Sequence, residues 1–121
     1  MRKTVEKVVG EFVNGSTTAK TYLVCSKTAA FYGRRLFVEG NVLYSYGLHF
    51  PLGIRTEKVM FINKDKYSQT TATHQRGLEL LAERSGFQIY KLSTEDMRKV
   101  RDDKKALKLY TNMALAGELV N

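Results

Sequence analysis

The sequence predicts a single α+β domain over residues 1–121, with an antiparallel β-rich N-terminal half followed by two helices, the last of them long and basic. Three observations favour this class. The first half is rich in β-branched and aromatic residues, the second half places apolar residues at helical spacing, and no Gly/Ser-rich linker divides the chain. A length of 121 residues is also sufficient to bury a core without disulfides.

The composition excludes several classes of protein. With 43% hydrophobic and 26% charged residues the chain is not of the disordered type, and no stretch approaches the roughly 18 apolar residues of a membrane-spanning helix. Cys25 is the only cysteine and only two histidines accompany it, which excludes a disulfide scaffold and a Cys/His zinc site. The lone thiol and the absence of a secretory leader favour a cytoplasmic protein.

The N-terminal region is predicted to contain two extended segments. Val5, Lys7 and Val9 lie on one face of the first segment, and Asn14-Gly15-Ser16 follows as a turn. The second segment is Thr21–Cys25, which is β-branched and aromatic.

A β-hairpin is the clearest local signal. Leu36–Glu39 and Val42–Tyr46 flank the pair Gly40-Asn41, which suits a two-residue hairpin turn. Leu48–Arg55 is the next extended segment. Because Pro51 has no N–H, we expect it on an edge strand or at a bulge.

The chain then changes from strands to helices. Val59–Ile62 is a continuous apolar run, typical of a strand covered on both faces. A helix is expected to begin among the hydroxyl residues of Ser68–Thr71 and to end at Gly86, which suits the left-handed position after a helix. Phe87–Leu92 is predicted to be one more strand.

The last helix is predicted to begin at Ser93 and to run to about Leu115, with acidic residues in its first turn. Six basic residues lie between Arg98 and Lys108, against Asp102 and Asp103. A continuous helix would stack four of them on one face that attracts phosphates: Arg98, Arg101, Lys105 and Lys108. A solvated, non-binding helix surface is an equally good interpretation of such a charge run.

The β-rich half carries a second basic and aromatic pattern. From Phe12 to Thr56 the only acid is Glu39, and the basic residues include Arg55. Aromatic side chains on a basic sheet can stack nucleobases, and Tyr44 and Tyr46 are the candidates because their hydroxyls suit a surface or a cleft. The other aromatic residues are expected in the core.

The polar segment from Tyr67 to Arg76 is the third candidate. Unpaired N–H groups at a helix N-terminus attract phosphate, and the segment offers further polar side chains there: Thr70, Thr71, His74, Gln75 and Arg76. Simple helix capping is the alternative. The segment has no Gly-Lys-Ser/Thr ending, which excludes a P-loop.

The sequence gives little support to the hypothesis that the protein is an enzyme. His49 and His74 could pair as acid and base, but neither lies in a recognisable catalytic motif, and Ser45 and Ser68 lack the context of a nucleophile elbow. Cys25 lies in an apolar stretch, where a thiol is commonly inert. We therefore expect a non-enzymatic protein with no cofactor and no metal site.

Two segments of the chain carry a family resemblance. Tyr44-Ser45-Tyr46-Gly47-Leu48-His49-Phe50-Pro51 and Tyr67-Ser68-Gln69-Thr70-Thr71-Ala72-Thr73-His74-Gln75 resemble the motifs YSYG-x-HFP and YS-x-TT-x-x-HQ of a small domain of unknown function that is widespread in bacteriophage genomes. The resemblance covers residues 36–84. It implies a phage or prophage protein made in the cytoplasm of the host bacterial cell, and it implies no reaction.

Charge and resemblance together lead to a functional hypothesis. The net charge of +8 is spread over both halves rather than confined to a tail. We expect a binding protein whose ligand carries phosphate, either a nucleic acid or a nucleotide signal, acting in host takeover or counter-defence. The alternative is a protein–protein inhibitor that docks on a host defence or nucleic-acid enzyme. A homo-oligomer through the apolar residues of the C-terminal helix is a further arrangement that the sequence permits, and no membrane partner is expected.

Overall fold

The chain folds around a five-stranded mixed sheet with helices on both faces. The computed structural model describes residues 5–16, 36–45, 50–66 and 69–117. The described elements follow in chain order: α1 (Val5–Val13), β1 (Leu36–Glu39), β2 (Val42–Ser45), β3 (Pro51–Arg55), β4 (Val59–Asn63), α2 (Gln69–Arg84), β5 (Gln88–Leu92), α3 (Thr94–Asp102) and α4 (Lys104–Leu115). The α+β class is confirmed.

The predicted hairpin is confirmed. β1 and β2 pair antiparallel, with Leu36 opposite Ser45 and Glu39 opposite Val42. Gly40 in the connecting turn has a φ of 64°, in the left-handed region that glycine adopts without strain. Tyr46, which we expected at the end of β2, lies outside the described residues.

Pro51 lies at a bulge, as its missing N–H predicts. Leu43 faces Gly53 and Tyr44 faces Pro51, so β3 has one residue more than β2 at this point, and that residue is Leu52. The bulge allows β3 to lie between β2 and β4 in the sheet while carrying a proline.

The segment from β4 to β5 forms a crossover unit. All five residues of β4 are buried, which confirms the strand predicted to be covered on both faces. α2 connects β4 to β5, which pairs parallel to it and so makes the sheet mixed. Gly86, with a φ of 88°, follows the end of α2 as predicted.

The two faces of the sheet have separate cores. The face covered by α1 and α2 includes Leu43, Leu52, Met60, Ile62 and, from α2, Leu78. The opposite face is covered by α3 and α4 and includes Val42, Tyr44, Ile54, Phe61, Met97 and Val100. Successive residues of β2 and β4 therefore enter different cores, as the pleat requires. In β3 the bulge changes this alternation, since Leu52 and Gly53 both face the core under α1 and α2 and Ile54 faces the other.

α1 corrects a prediction, because the extended segment expected at Val5–Val9 is a helix. Its buried residues are Val8, Val9, Phe12 and Val13, which recur at the spacing of one helical face. The predicted strand at Thr21–Cys25 lies outside the described residues.

The predicted C-terminal helix is two helices, α3 and α4, separated by Asp103. Asp103 has extended backbone angles (φ −126°, ψ 113°), and its side chain accepts a hydrogen bond from the N–H of Lys105 at 2.9 Å. It therefore acts as the N-cap of α4. The predicted start at Ser93 is confirmed, since its hydroxyl accepts from the N–H of Asp96. Among the described helices, none is both long and apolar enough to cross a membrane.

Candidate anion-binding surfaces

Described residues from both sequence motifs lie together inside the protein, next to the end of β2. Ser45, at the end of β2, is fully buried, and its Oγ lies 3.2 Å from Nδ1 of His74 on α2. His74 is also buried, with 3% of its surface exposed. Thr71, one turn earlier on α2, is fully buried. Their burial corrects the expectation that Thr71 and His74 offer their side chains to a surface ligand. The side chain of Thr70 lies outside the described residues.

The side chain of Gln75 connects α2 to the end of β4 through hydrogen bonds. Its amide nitrogen donates to the carbonyl oxygens of Asn63 at 2.7 Å and Asp65 at 2.8 Å, so both amide hydrogens are in use. Asn63 is itself buried and donates to Pro51 O and to Thr94 Oγ1, both at 2.9 Å. Gln75 therefore holds the strand end in place and has no amide hydrogen to give to a phosphate.

Asp65 connects this network to the start of α3. Its Oδ2 accepts from the N–H of Thr94 at 2.7 Å, and hydrogen bonds from the backbone and side chain of Thr94 lower the pKa of Asp65 below its ordinary value. The carboxylate is thus stabilised in its charged form at the positive end of a helix. The ends of β4 and β5, the first half of α2 and the start of α3 are joined by one set of hydrogen bonds.

Arg55 also has a structural role that its sequence position does not reveal. Its guanidinium donates to the carbonyl oxygens of Phe12 and Ser16 and lies 5.1 Å from the centre of the Phe12 ring. A cation at this position satisfies carbonyl groups at the C-terminal end of α1. Both hydrogen bonds come from Nη1, and the expected phosphate contact of Arg55 stays a prediction.

Tyr44 and Arg101 form a stack on the opposite face of the sheet. Tyr44 is 5% exposed, and its ring lies 5.2 Å from that of Phe37 and 5.9 Å from the guanidinium carbon of Arg101. Burial raises the pKa of the Tyr44 hydroxyl. Arg101 also donates to both carboxylate oxygens of Asp102, at 2.7 and 2.9 Å. The ring of Tyr44 is therefore not available to stack a base, and Arg101 is already paired.

The helix break separates the four basic residues expected on one helical face. Arg98 is exposed on α3, and three exposed lysines lie on α4: Lys104, Lys105 and Lys108. A groove of about 460 Å³ between α3 and α4 is lined by Arg98 and Lys99 but also by Glu95, Asp102 and Asp103. The groove itself has mixed charge, and the three exposed lysines of α4 do not line it.

A second cleft, which we name the crossover cleft, has a clearer electrostatic bias. It has a volume of about 270 Å³ and lies between the ends of β4 and β5 and the first half of α2. Four cationic side chains and one carboxylate line it: Lys64, Lys66, Arg76, Lys91 and Glu79. Of these, Lys91 and Glu79 form an ion pair at 3.1 Å. Lys64, Lys66 and Arg76 are exposed and make no ion pair with any described residue.

The sequence pattern found only part of this cleft. Gln75 and Arg76 were expected near a phosphate and do line it, but three of its four cations come from the ends of β4 and β5. The parallel pairing of β4 and β5 brings these cations together, and local patterns do not show it. The one available signal is the pair Lys64 and Lys66, which directly follows the buried run of β4.

Comparisons with known proteins do not assign the chain to a group. No protein family, no curated protein and no solved structure matches it. Within the described residues, no three His, Cys, Asp or Glu side chains come together to hold a metal ion. The arrangement of cations in the crossover cleft is therefore the observation from which a function is argued.

Proposed function

We propose that this protein binds a phosphate-bearing ligand in the crossover cleft, as a binding protein rather than an enzyme. The observation that supports this proposal is the excess of four cationic side chains over one carboxylate in a single concave site. Glu79, the single carboxylate among the described lining residues, is already paired with Lys91, which leaves three exposed cations for a ligand. Positive charges converging on a cleft raise the local concentration of anions.

The position of the cleft in the fold supports the same function. In sheets with parallel strands, ligands bind outside the carboxyl ends of the strands. Lys64 directly follows β4, and Lys91 is the penultimate residue of β5. The hydrogen bonds of Gln75 to the backbone of Asn63 and Asp65 fix the wall of the cleft. The backbone of this wall is therefore ordered before an anion binds, and only the cationic side chains have to order on binding.

A nucleotide fits this site better than a nucleic-acid strand does. A strand needs an extended basic groove that follows several phosphates, whereas the crossover cleft is compact, at about 270 Å³. The exposed cations of α4 lie on the other face of the sheet from α2 and so belong to a separate surface. A role in phage takeover or counter-defence rests on the sequence resemblance and stays part of this proposal.

Titration with inorganic phosphate at constant ionic strength tests the proposal. We expect saturable NMR shifts of the backbone amides of Lys64, Lys66 and Arg76, with sodium chloride as the reference salt. The double variant Lys64→Ala/Lys66→Ala should weaken binding by about fivefold or more, since each charged contact contributes of order 1 kcal/mol. Lys105→Ala/Lys108→Ala removes the same charge from α4 and should change the affinity by less than about twofold.

Two results would contradict the proposal. Equal shifts with chloride and phosphate would show that the cleft does not select the anion, and equal losses in the two variants would show a general effect of net charge. The same pair also tests the nucleic-acid alternative. If a single-stranded oligonucleotide binds with steep salt dependence and only Lys105→Ala/Lys108→Ala weakens it, the functional surface is α4.

A further inference from the structure

Glu79 is an unusual residue to find in a cleft that binds an anion. It lies on α2, its side chain is 33% exposed, and its Oε1 is 3.1 Å from Nζ of Lys91. An ionised carboxylate has only acceptor oxygens and repels phosphate. A carboxylate at this position does not strengthen the binding of a bare anion. A ligand that also carries hydroxyl donors gains hydrogen bonds to a charged acceptor.

From this pairing of charges we infer that the ligand of the crossover cleft is a sugar phosphate of the ribonucleotide type, with its phosphate on Lys64, Lys66 and Arg76 and its sugar hydroxyls on Glu79. This inference rests on the proposed function, because it assigns the phosphate to the same cations. Lys91 is the positioning residue, since its ion pair holds the carboxylate of Glu79 in the cleft.

The size of the cleft agrees with this ligand class. Pockets that enclose a drug-sized ligand have volumes of about 300–1,000 Å³. The crossover cleft, at about 270 Å³, lies just below that range. We therefore assign the phosphate and the sugar to the described lining residues and expect no specificity for an attached base from them.

A comparison of adenosine 5′-monophosphate with 2′,3′-dideoxyadenosine 5′-monophosphate tests the inference. The second nucleotide keeps the phosphate and the base but lacks both ribose hydroxyls. In calorimetric or NMR titrations, the wild-type protein should bind the first nucleotide about fivefold or more tightly, because only this nucleotide donates ribose hydroxyl hydrogens to a charged acceptor. Glu79→Ala should bind the two nucleotides with equal affinity.

Glu83→Ala is the matched control. Glu83 is exposed one turn further along α2 and does not line the cleft, so this variant makes the same charge change on the same helix. It should retain the preference for the ribonucleotide. Equal affinities of the wild-type protein for the two nucleotides, or a preference that persists in Glu79→Ala, would overturn the inference while phosphate binding stands. Failure to bind inorganic phosphate would overturn the proposed function and this inference together.

Discussion

Asp65 shows how one side chain holds two elements together at the end of the sheet. Its carboxylate accepts from the N–H of Thr94 at 2.7 Å, and its own N–H donates to Oδ1 of Asn63 at 2.8 Å. The strand end of β4 and the first turn of α3 are thereby joined without an apolar contact. The residue also lies between Lys64 and Lys66, so it fixes the chain that carries two cations of the crossover cleft.

Asp65→Asn should therefore lower stability in a pH-dependent way. The pKa of Asp65 is lower in the folded protein than its ordinary value, so its stabilisation is present above the unfolded pKa and is lost as the pH falls through the folded pKa. At pH 7 we expect the free energy of unfolding of the variant to be about 1 kcal/mol lower than that of the wild type, a value that allows for the partial exposure of Asp65. Chemical denaturation of both proteins at pH 7 and at low pH measures this difference.

The difference in unfolding free energy between wild type and Asp65→Asn should become smaller in acid. At low pH Asp65 is protonated, so neither protein has a negative charge at this position. Glu83→Gln changes an exposed carboxylate of α2 and serves as the control, with little loss expected at pH 7. A gap between wild type and Asp65→Asn that stays constant down to low pH would show that the carboxylate charge is not what stabilises this end of the sheet.

At the scale of elements, the contact between α2 and the sheet depends on a glycine in β3, because the side chain of Leu78 fills the space that a Cβ would take. A Cβ built on Gly53 would lie 2.5 Å from Cδ2 of Leu78 and 3.5 Å from a ring carbon of Phe12. Gly53 is next to the bulge residue Leu52, so the bulge and the glycine lie at the same place. Both features serve the contact between β3 and the helices above it.

Gly53→Ala should cost roughly 1–3 kcal/mol, the usual range for overpacking a core. In a Leu78→Ala background the same change should cost clearly less, since the side chain that it meets has been removed. Urea unfolding of the four proteins gives the coupling energy as a double-mutant cycle. Additive effects would mean that the strain at Gly53 arises elsewhere.

The elements with local signals were predicted correctly, whereas α1 and the break between α3 and α4 were not. The hairpin turn at Gly40, the apolar run of β4 and the Ser93 cap all carry their information within a few residues. The prediction of a strand at the position of α1 was wrong, because Val5 and Val9 fit a strand and a helix equally well over so short a window. The break at Asp103 was missed because a capping aspartate in a charged helix resembles a surface charge.

The candidate site was less predictable than the fold, for a related reason. Arg76 was expected near a phosphate, and it does line the crossover cleft. The burial of Tyr44 and His74 was not predicted, because a sequence pattern does not tell an inward-facing polar side chain from an outward-facing one. Lys91 and Glu79 were missed because they become neighbours only through packing of α2 on β5.

At the scale of the whole molecule, β4 is the centre of the structure. It pairs with β3 on one side and β5 on the other, and helices cover both of its faces. Every residue of β4 is buried. Its backbone hydrogen bonds should therefore break only when the whole domain unfolds.

Native-state hydrogen exchange should accordingly find the amides of Met60, Phe61 and Ile62 among the slowest in the protein, with opening free energies that match global unfolding. β1 pairs only with β2 within the described part of the chain, so its amides should exchange faster. Faster exchange in β4 than in β1 would mean that the crossover unit opens before the hairpin does.

The separation of the two cores by one sheet has an evolutionary consequence. Apolar side chains under α2 and those under α3 and α4 enter the two cores from opposite faces of the same strands. Apolar substitutions in one core therefore need little compensating change in the other, whereas polar substitutions at the hydrogen-bonded end of the sheet affect α2 and α3 together. Lineages can thus repack either core separately, while the end of the sheet that carries the crossover cleft has to change together with the start of α3.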